Sequence, residues 1–148
     1  MAQLTEHEME LIDRYRKGEV VTEKQIENLL NSSNPEVRES LAKQGIVLDR
    51  LVHDENVFVR AAVARQGYGL DTLVSDEDPY VRATVARMGY GLDILRNDTS
   101  LEVQDAVWDY ERGMRFNASV ADILSDAKER SLDANDGLGV SKSDYGLY

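Results

Sequence analysis

The chain has 148 residues, no cysteine and a formal net charge of −11 at neutral pH. This length is sufficient for one domain with its own hydrophobic core, and the absence of cysteine excludes disulfides, a thiol nucleophile and a thiolate metal site. No stretch of about 18 apolar residues occurs, so we expect no membrane-spanning helix. The sequence begins with polar and acidic residues, unlike a secretion signal, and we therefore expect a cytoplasmic protein.

Two helices are predicted before the repeated part of the chain. The first covers Glu6–Arg16 and has an apolar side. The second begins after Thr22, where Gln25 stands three residues later, as in a capping box. Residues 22–33 already match the second half of the repeat described next, so we interpret residues 1–33 as an N-terminal cap.

A 22-residue repeat follows without gaps over residues 34–110. Residues 56–77 and 78–99 share 13 of 22 positions. Each repeat opens with a good N-cap residue, continues with an apolar stripe typical of one helix of about ten residues, and reaches a glycine that ends it. A second helix of one or two turns completes the unit. The pattern predicts an all-α fold without strands, namely a short α-solenoid of 22-residue two-helix repeats with N- and C-terminal capping helices.

The last repeat departs from the pattern after Tyr110. We expect bulky residues to cover the apolar surface at the C-terminal end of the stack; they are Trp108, Tyr110, Met114 and Phe116. A closing helix is predicted within residues 117–130. The solenoid domain would then cover residues 1–132, with 111–132 as the C-terminal cap, and residues 133–148 would form a flexible tail.

The repeat resembles HEAT-like repeats, and most closely the leucine-rich repeat variant. The resemblance rests on phrases such as LVSDEDPYVRATVAR, where an Asp precedes an Arg by six positions and an apolar–Ala pair follows. It covers residues 22–110 and implies a right-handed superhelix. The 22-residue period and the Gly-Tyr-Gly segment before the second helix depart from the family pattern.

The repeated Asp and Arg residues have two interpretations. The resemblance implies that they form a polar ladder between neighbouring repeats, in which each Asp also accepts hydrogen bonds from the start of the next helix. The alternative is that Arg60 and Arg82 bind phosphate. The ladder residues are Arg38, Asp54, Arg60, Asp76, Arg82 and Asp98.

A second set of repeated positions is a candidate for partner binding. Phe58 and Tyr80 occupy positions where the flanking repeats have Glu, so we expect them at the surface. Arg65 and Arg87 lie seven residues later, nearly two helical turns, and share a face with the aromatic residues. Aromatic and Arg side chains recur in binding hot spots, although they could also merely cover the helices in solvent. The candidate partner-binding residues are Phe58, Ala62, Arg65, Tyr80, Thr84 and Arg87.

A third repeated position is apolar or aromatic. It is occupied by Ile46, Tyr68 and Tyr90. Because an apolar position in three repeats more often serves packing than ligand binding, we expect these side chains to pack between turns.

No motif for catalysis or metal binding is present. The two histidines are isolated, no nucleophile or phosphate-loop motif occurs, and the acidic loops lack the ligand pattern of a calcium site. We therefore expect no enzyme activity, cofactor or metal. We expect instead that the chain binds another protein, either as an acidic adaptor or as an inhibitor of a basic, nucleic-acid-processing partner. The alternative is a nucleic-acid-binding protein that uses a central row of arginines, which the acidic net charge disfavours; the row comprises Arg60, Arg65, Arg82 and Arg87.

Overall fold

The computed structural model describes residues 3–137, and the side chains of residues 3–128. Every regular element in this part of the chain is a helix, which confirms the all-α prediction. The helices are α1 (Glu6–Arg16), α2 (Glu23–Leu30), α3 (Pro35–Lys43), α4 (Leu48–Leu51), α5 (Val57–Arg65), α6 (Leu70–Leu73), α7 (Pro79–Arg87), α8 (Leu92–Leu95) and α9 (Leu101–Gly137). The predicted flexible tail lies mostly outside the described residues, and residues 133–137 belong to α9.

The chain divides into two units, Met1–Tyr110 and Glu111–Tyr148. Helix α9 is continuous over the region where the sequence predicts a separate closing helix within residues 117–130. Gly113 is the residue that most weakens the helical pattern there. A single glycine costs a helix only about 1 kcal/mol relative to alanine and does not end it.

The first unit contains a core built from the repeated helices. Helix α5 packs against α3 on one side and α7 on the other. The inward positions of these helices are i and i+4, which lie one above the other on a helix. All of them are fully buried: Val37, Leu41, Val59, Val63, Val81 and Val85. Each short helix adds one buried leucine, at Leu51, Leu73 and Leu95.

Helix starts are fixed by side-chain caps. The side chains of Asn34, Asn56 and Asp78 accept hydrogen bonds from the backbone N–H two residues later in α3, α5 and α7. Thr22 and Gln25 form a capping box at the start of α2, which confirms that prediction. These caps satisfy N–H groups that the helix itself leaves without partners.

The short helices begin from a left-handed residue. Gly69 precedes α6 with a φ of +63°, and a Cβ atom placed there would lie 2.6 Å from Cγ2 of Val52. Gly91 has the same geometry before α8, against Val74. At these two positions the left-handed backbone favours glycine, and the close approach of a buried valine leaves no room for a Cβ atom. In the first repeat the same conformation is adopted by Val47, with a φ of 47°.

Candidate functional site

The repeated arginines are held by buried aspartates. Arg60 donates from Nε to Oδ2 of Asp76 at 2.8 Å and from Nη2 to Oδ1 at 3.0 Å. Its Nη1 donates to the backbone carbonyl of Asp54 at 2.9 Å. Asp76 also accepts a hydrogen bond from the backbone N–H of Asp78, at the start of α7. One guanidinium thus joins the ends of two short helices, and the hydrogen bonds that Arg60 donates to Asp76 raise the pKa of Arg60.

The same arrangement occurs on both sides of this pair. Arg38 donates to both carboxylate oxygens of Asp54, at 2.7 and 3.1 Å. Arg82 donates to Asp98 at 2.7 and 3.0 Å. Each Arg therefore pairs with the carboxylate 16 residues later and with the backbone carbonyl six residues earlier, and these intervals sum to the repeat length. At the end of the series the amide of Gln104 donates to the Asp98 carbonyl.

These hydrogen bonds reduce the number of arginines that are available for the alternative role, nucleic-acid binding. Arg60 is 9% exposed, and its guanidinium already donates to a carboxylate and to backbone carbonyls. Arg82 is half-buried with the same set of acceptors. Phosphate binding would require each to leave an aspartate, which would remain charged and poorly solvated. Arg65 and Arg87 are exposed, so two of the four arginines are positioned for such contacts.

Phe58 and Tyr80 form an aromatic pair at the surface of α5 and α7. Their ring centroids are 5.7 Å apart in an edge-to-face arrangement. Arg65 places its guanidinium carbon 5.7 Å from the Tyr80 ring centroid and donates from Nη2 to the Tyr80 hydroxyl. Phe58 is 54% exposed, and Tyr80 is half-buried. The three side chains are therefore mutually oriented while part of their apolar surface faces solvent.

Two residues predicted to lie in this surface do not. Ala62 is 1% exposed and Thr84 is 3% exposed, so the prediction that they contact a partner is wrong. The physical reason for Ala62 is that α5 packs against α3 on one side and α7 on the other, so its small side chains lie between helices. The Thr84 hydroxyl donates to the Tyr80 carbonyl at 2.8 Å, within its own helix.

The Gly-Tyr-Gly tyrosines are less buried than the isoleucine at the matching position. Tyr68 and Tyr90 are each 41% exposed, whereas Ile46 at the matching position is buried. The glycines around each tyrosine adopt the left-handed conformation that makes the turn. The backbone reversal therefore depends on the glycines, and part of each tyrosine side chain is exposed to solvent.

A groove beside Phe58 was not predicted from the sequence. Its volume is about 500 Å³, and its lining is mostly apolar, with two carboxylates at its edge. The lining residues are Ser33, Asn34, Pro35, Glu36, Glu39, Asn56 and Phe58. Glu39 forms an ion pair with Lys43, Nζ to Oε1 2.7 Å. The sequence shows only an acidic first turn in the helix before Phe58, and an acidic turn does not indicate a concave surface.

The bulky residues expected to cover the end of the repeats are largely exposed. Trp108 in the first unit, and Met114 and Phe116 in the second, have most of their side-chain surface accessible to solvent. Tyr110 is half-buried, and its ring occupies the place where a Cβ atom on Gly89 would lie. Within the first unit, Tyr110 therefore packs against the turn that follows α7.

The described residues contain no cluster of three or more metal-ligating side chains. No helix among them is long and apolar enough to cross a membrane. Buried polar side chains in this part of the chain all have hydrogen-bond partners. The exposed aromatic–Arg group and the adjoining groove are therefore the strongest candidate site.

No family model, curated protein or solved structure matches this chain. The packed helices are compatible with a helical repeat fold. The resemblance to HEAT-like repeats and to the leucine-rich repeat variant has no support from a relative.

Proposed function

We propose that this chain is a non-catalytic protein-binding module whose first unit is a short right-handed α-solenoid of 22-residue, two-helix repeats. The support is the recurrence of helix starts at Pro35, Val57 and Pro79, and of the Arg–Asp pairs at the same interval. Such a stack is stabilised by nearest-neighbour contacts and presents an extended surface. The architecture itself carries no function, so the binding role depends on the surface.

The observation that carries the binding proposal is the aromatic pair of exposed Phe58 and half-buried Tyr80, with Arg65 beside the Tyr80 ring. We define the Phe58 surface as Phe58, Tyr80, Arg65 and Arg87. The apolar surface of an exposed Phe and a half-buried Tyr is removed from water only when a partner covers it, and this removal is favourable. Mutual contacts already restrict their rotamers, so less entropy is lost when a partner docks.

The charges around the groove favour a basic partner. Glu36 and Glu39 border the apolar groove beside Phe58, and the chain as a whole carries 28 acidic against 17 basic residues. A protein segment with basic and apolar side chains complements this surface. The proposed role is therefore an acidic adaptor or inhibitor of a basic partner, such as a nucleic-acid-processing enzyme whose basic groove it would occupy.

The test begins with affinity capture of the partner from the native host and its identification. The partner is then titrated against the wild type and against Phe58→Ala combined with Tyr80→Ala. Loss of two aromatic anchors should weaken binding about a hundredfold or more. The matched control is Tyr68→Ala combined with Tyr90→Ala, which removes two exposed aromatic rings elsewhere on the same repeats.

Three results would count against the proposal. Equal affinity of the wild type and the Phe58/Tyr80 variant, both folded by circular dichroism, would exclude this surface as the main interface. An equal loss in the control variant would show that the contact is not localised there. Salt-dependent binding of the wild type to duplex DNA, lost on removal of Arg65 and Arg87, would favour the nucleic-acid alternative.

A further inference from the structure

The second unit has an exposed apolar seam on helix α9. Gly113, Phe116, Val120 and Ile123 are spaced by three, four and three residues, as in the a and d positions of a coiled coil. Phe116 is 68% exposed and Ile123 64% exposed. Apart from its chain neighbours and its own helix backbone, no atom of the described residues lies within 4 Å of a Cβ atom placed on Gly113. A helix with such a stripe gains most of its stability from packing against another element.

We propose that this seam binds a second copy of the same chain, with the two α9 helices antiparallel. An antiparallel pair that sets Phe116 opposite Val120 of the other copy also sets Gly113 opposite Ile123. Every layer then combines a large and a small side chain, which favours close packing. A parallel pair in register would instead stack Phe116 on Phe116 and Gly113 on Gly113, so its layers would differ widely in volume.

The charges beside the seam are complementary in this same antiparallel register. With Gly113 and Val120 as a positions, Arg112 and Asp126 both occupy g positions. Antiparallel helices bring g positions of the two copies together, and Arg112 of each copy then lies beside Asp126 of the other, twice in the dimer. In a parallel pair, Arg112 would lie beside Asn117. The unit therefore complements its own charge pattern in one orientation only.

The interface is short, so the association should be weak and concentration-dependent. Sedimentation equilibrium of the full chain over about 5 to 500 µM should show a monomer–dimer equilibrium. Ile123→Asp should abolish the dimer, and Ser125→Asp, which adds the same charge on the outward face of the helix, should leave it. A monomer at every concentration would overturn the proposal.

Charge reversal tests the orientation, even where a seam variant fails to fold. Arg112→Glu alone or Asp126→Lys alone should weaken the dimer about tenfold, because two attractive pairs become repulsive. The two changes together should restore the wild-type dissociation constant. Failure of the double variant to recover would overturn the antiparallel register.

Cross-linking gives an independent measurement, because the natural chain has no cysteine. Ser119 is also a g position and lies opposite its own copy in the proposed register. Ser119→Cys should therefore form a covalent dimer with a short bifunctional maleimide. The matched control is Ala118→Cys, one residue away on the outward face, which should not. Equal cross-linking of both variants would contradict the proposed interface. This interface contains none of the residues of the Phe58 surface, so the two proposals can fail independently.

Discussion

Replacing Arg60 by methionine is expected to destabilise the first unit strongly. Methionine keeps much of the aliphatic volume of the side chain while removing the guanidinium, so the result isolates the polar contacts. The change takes away both hydrogen bonds to Asp76 and the bond to the Asp54 carbonyl. Asp76, whose side chain is 7% exposed, keeps the backbone N–H of Asp78 as a donor.

The magnitude follows from the burial of the aspartate that remains. Breaking a buried ion pair by removing one partner costs about 3–5 kcal/mol, since the other charge is left uncompensated. The remaining N–H donor offsets part of this cost, while the lost bond to the carbonyl adds to it. We expect a loss of about 3 kcal/mol, which for a unit of this size lowers the melting temperature by about 10–15 °C.

A surface pair in the same chain provides the control. Arg50 also donates to both oxygens of a carboxylate, that of Glu27 at 2.6 and 3.0 Å, but both side chains are about half exposed. Solvent screens this pair, so Arg50→Met should change the melting temperature little. Urea unfolding followed by circular dichroism at 222 nm measures both variants. If they lose equal stability, or if Arg60→Met loses none, the Arg–Asp pairs do not stabilise the fold as described.

Two further predictions concern the backbone and the pH dependence of stability. Gly69→Ala should be more destabilising than Gly67→Ala by about 1 kcal/mol or more. Both positions need a left-handed residue, but only at Gly69 does a valine methyl lie 2.6 Å from the added Cβ atom. Equal melting temperatures of the two variants would contradict this close approach. The hydrogen bonds from Arg82 lower the pKa of Asp98 from its ordinary value of 3.8. A lowered pKa in the folded state means that the ionised Asp98 stabilises the protein above the unfolded value, and that this contribution is lost as the pH falls below 3.8. Asp98→Asn should therefore be less stable than the wild type at pH 6, with a smaller difference at pH 2.5, and a constant difference in urea midpoints would contradict the assignment.

The helices and core of the first unit could be predicted because local and long-range signals agree. The capping residue at Asn56, the stripe through Val59 and Val63, and the glycine at Gly67 each define part of one helix. Repetition of the pattern makes every neighbour nearly the same, so burial at one position indicates burial at the matching one. Boundaries of this kind depend on short-range chemistry that a sequence shows directly.

The parts that could not be predicted depend on which side faces a neighbour. Ala62 and Thr84 lie beside aromatic surface residues in sequence, yet a small side chain is equally compatible with exposure and with close helix packing. The continuity of α9 through Gly113 differs from the prediction for a related reason: a change from the repeat pattern does not require a change of secondary structure. The groove beside Phe58 requires three-dimensional placement of two helix starts, which no local pattern encodes.

Comparison among the repeats separates residues that the fold requires from residues that it does not require. Arg38, Arg60 and Arg82 occur at the same position in three repeats, and each has the same acceptors in the structure. The position of Phe58 is filled by Glu36 in the preceding repeat without disturbing the helix start. A residue type that the fold demands should recur in every repeat, and an aromatic ring at this position does not. The repeat fold therefore does not require the exposed ring of Phe58, which contacts Tyr80, and this supports the proposal that the Phe58 surface binds a partner.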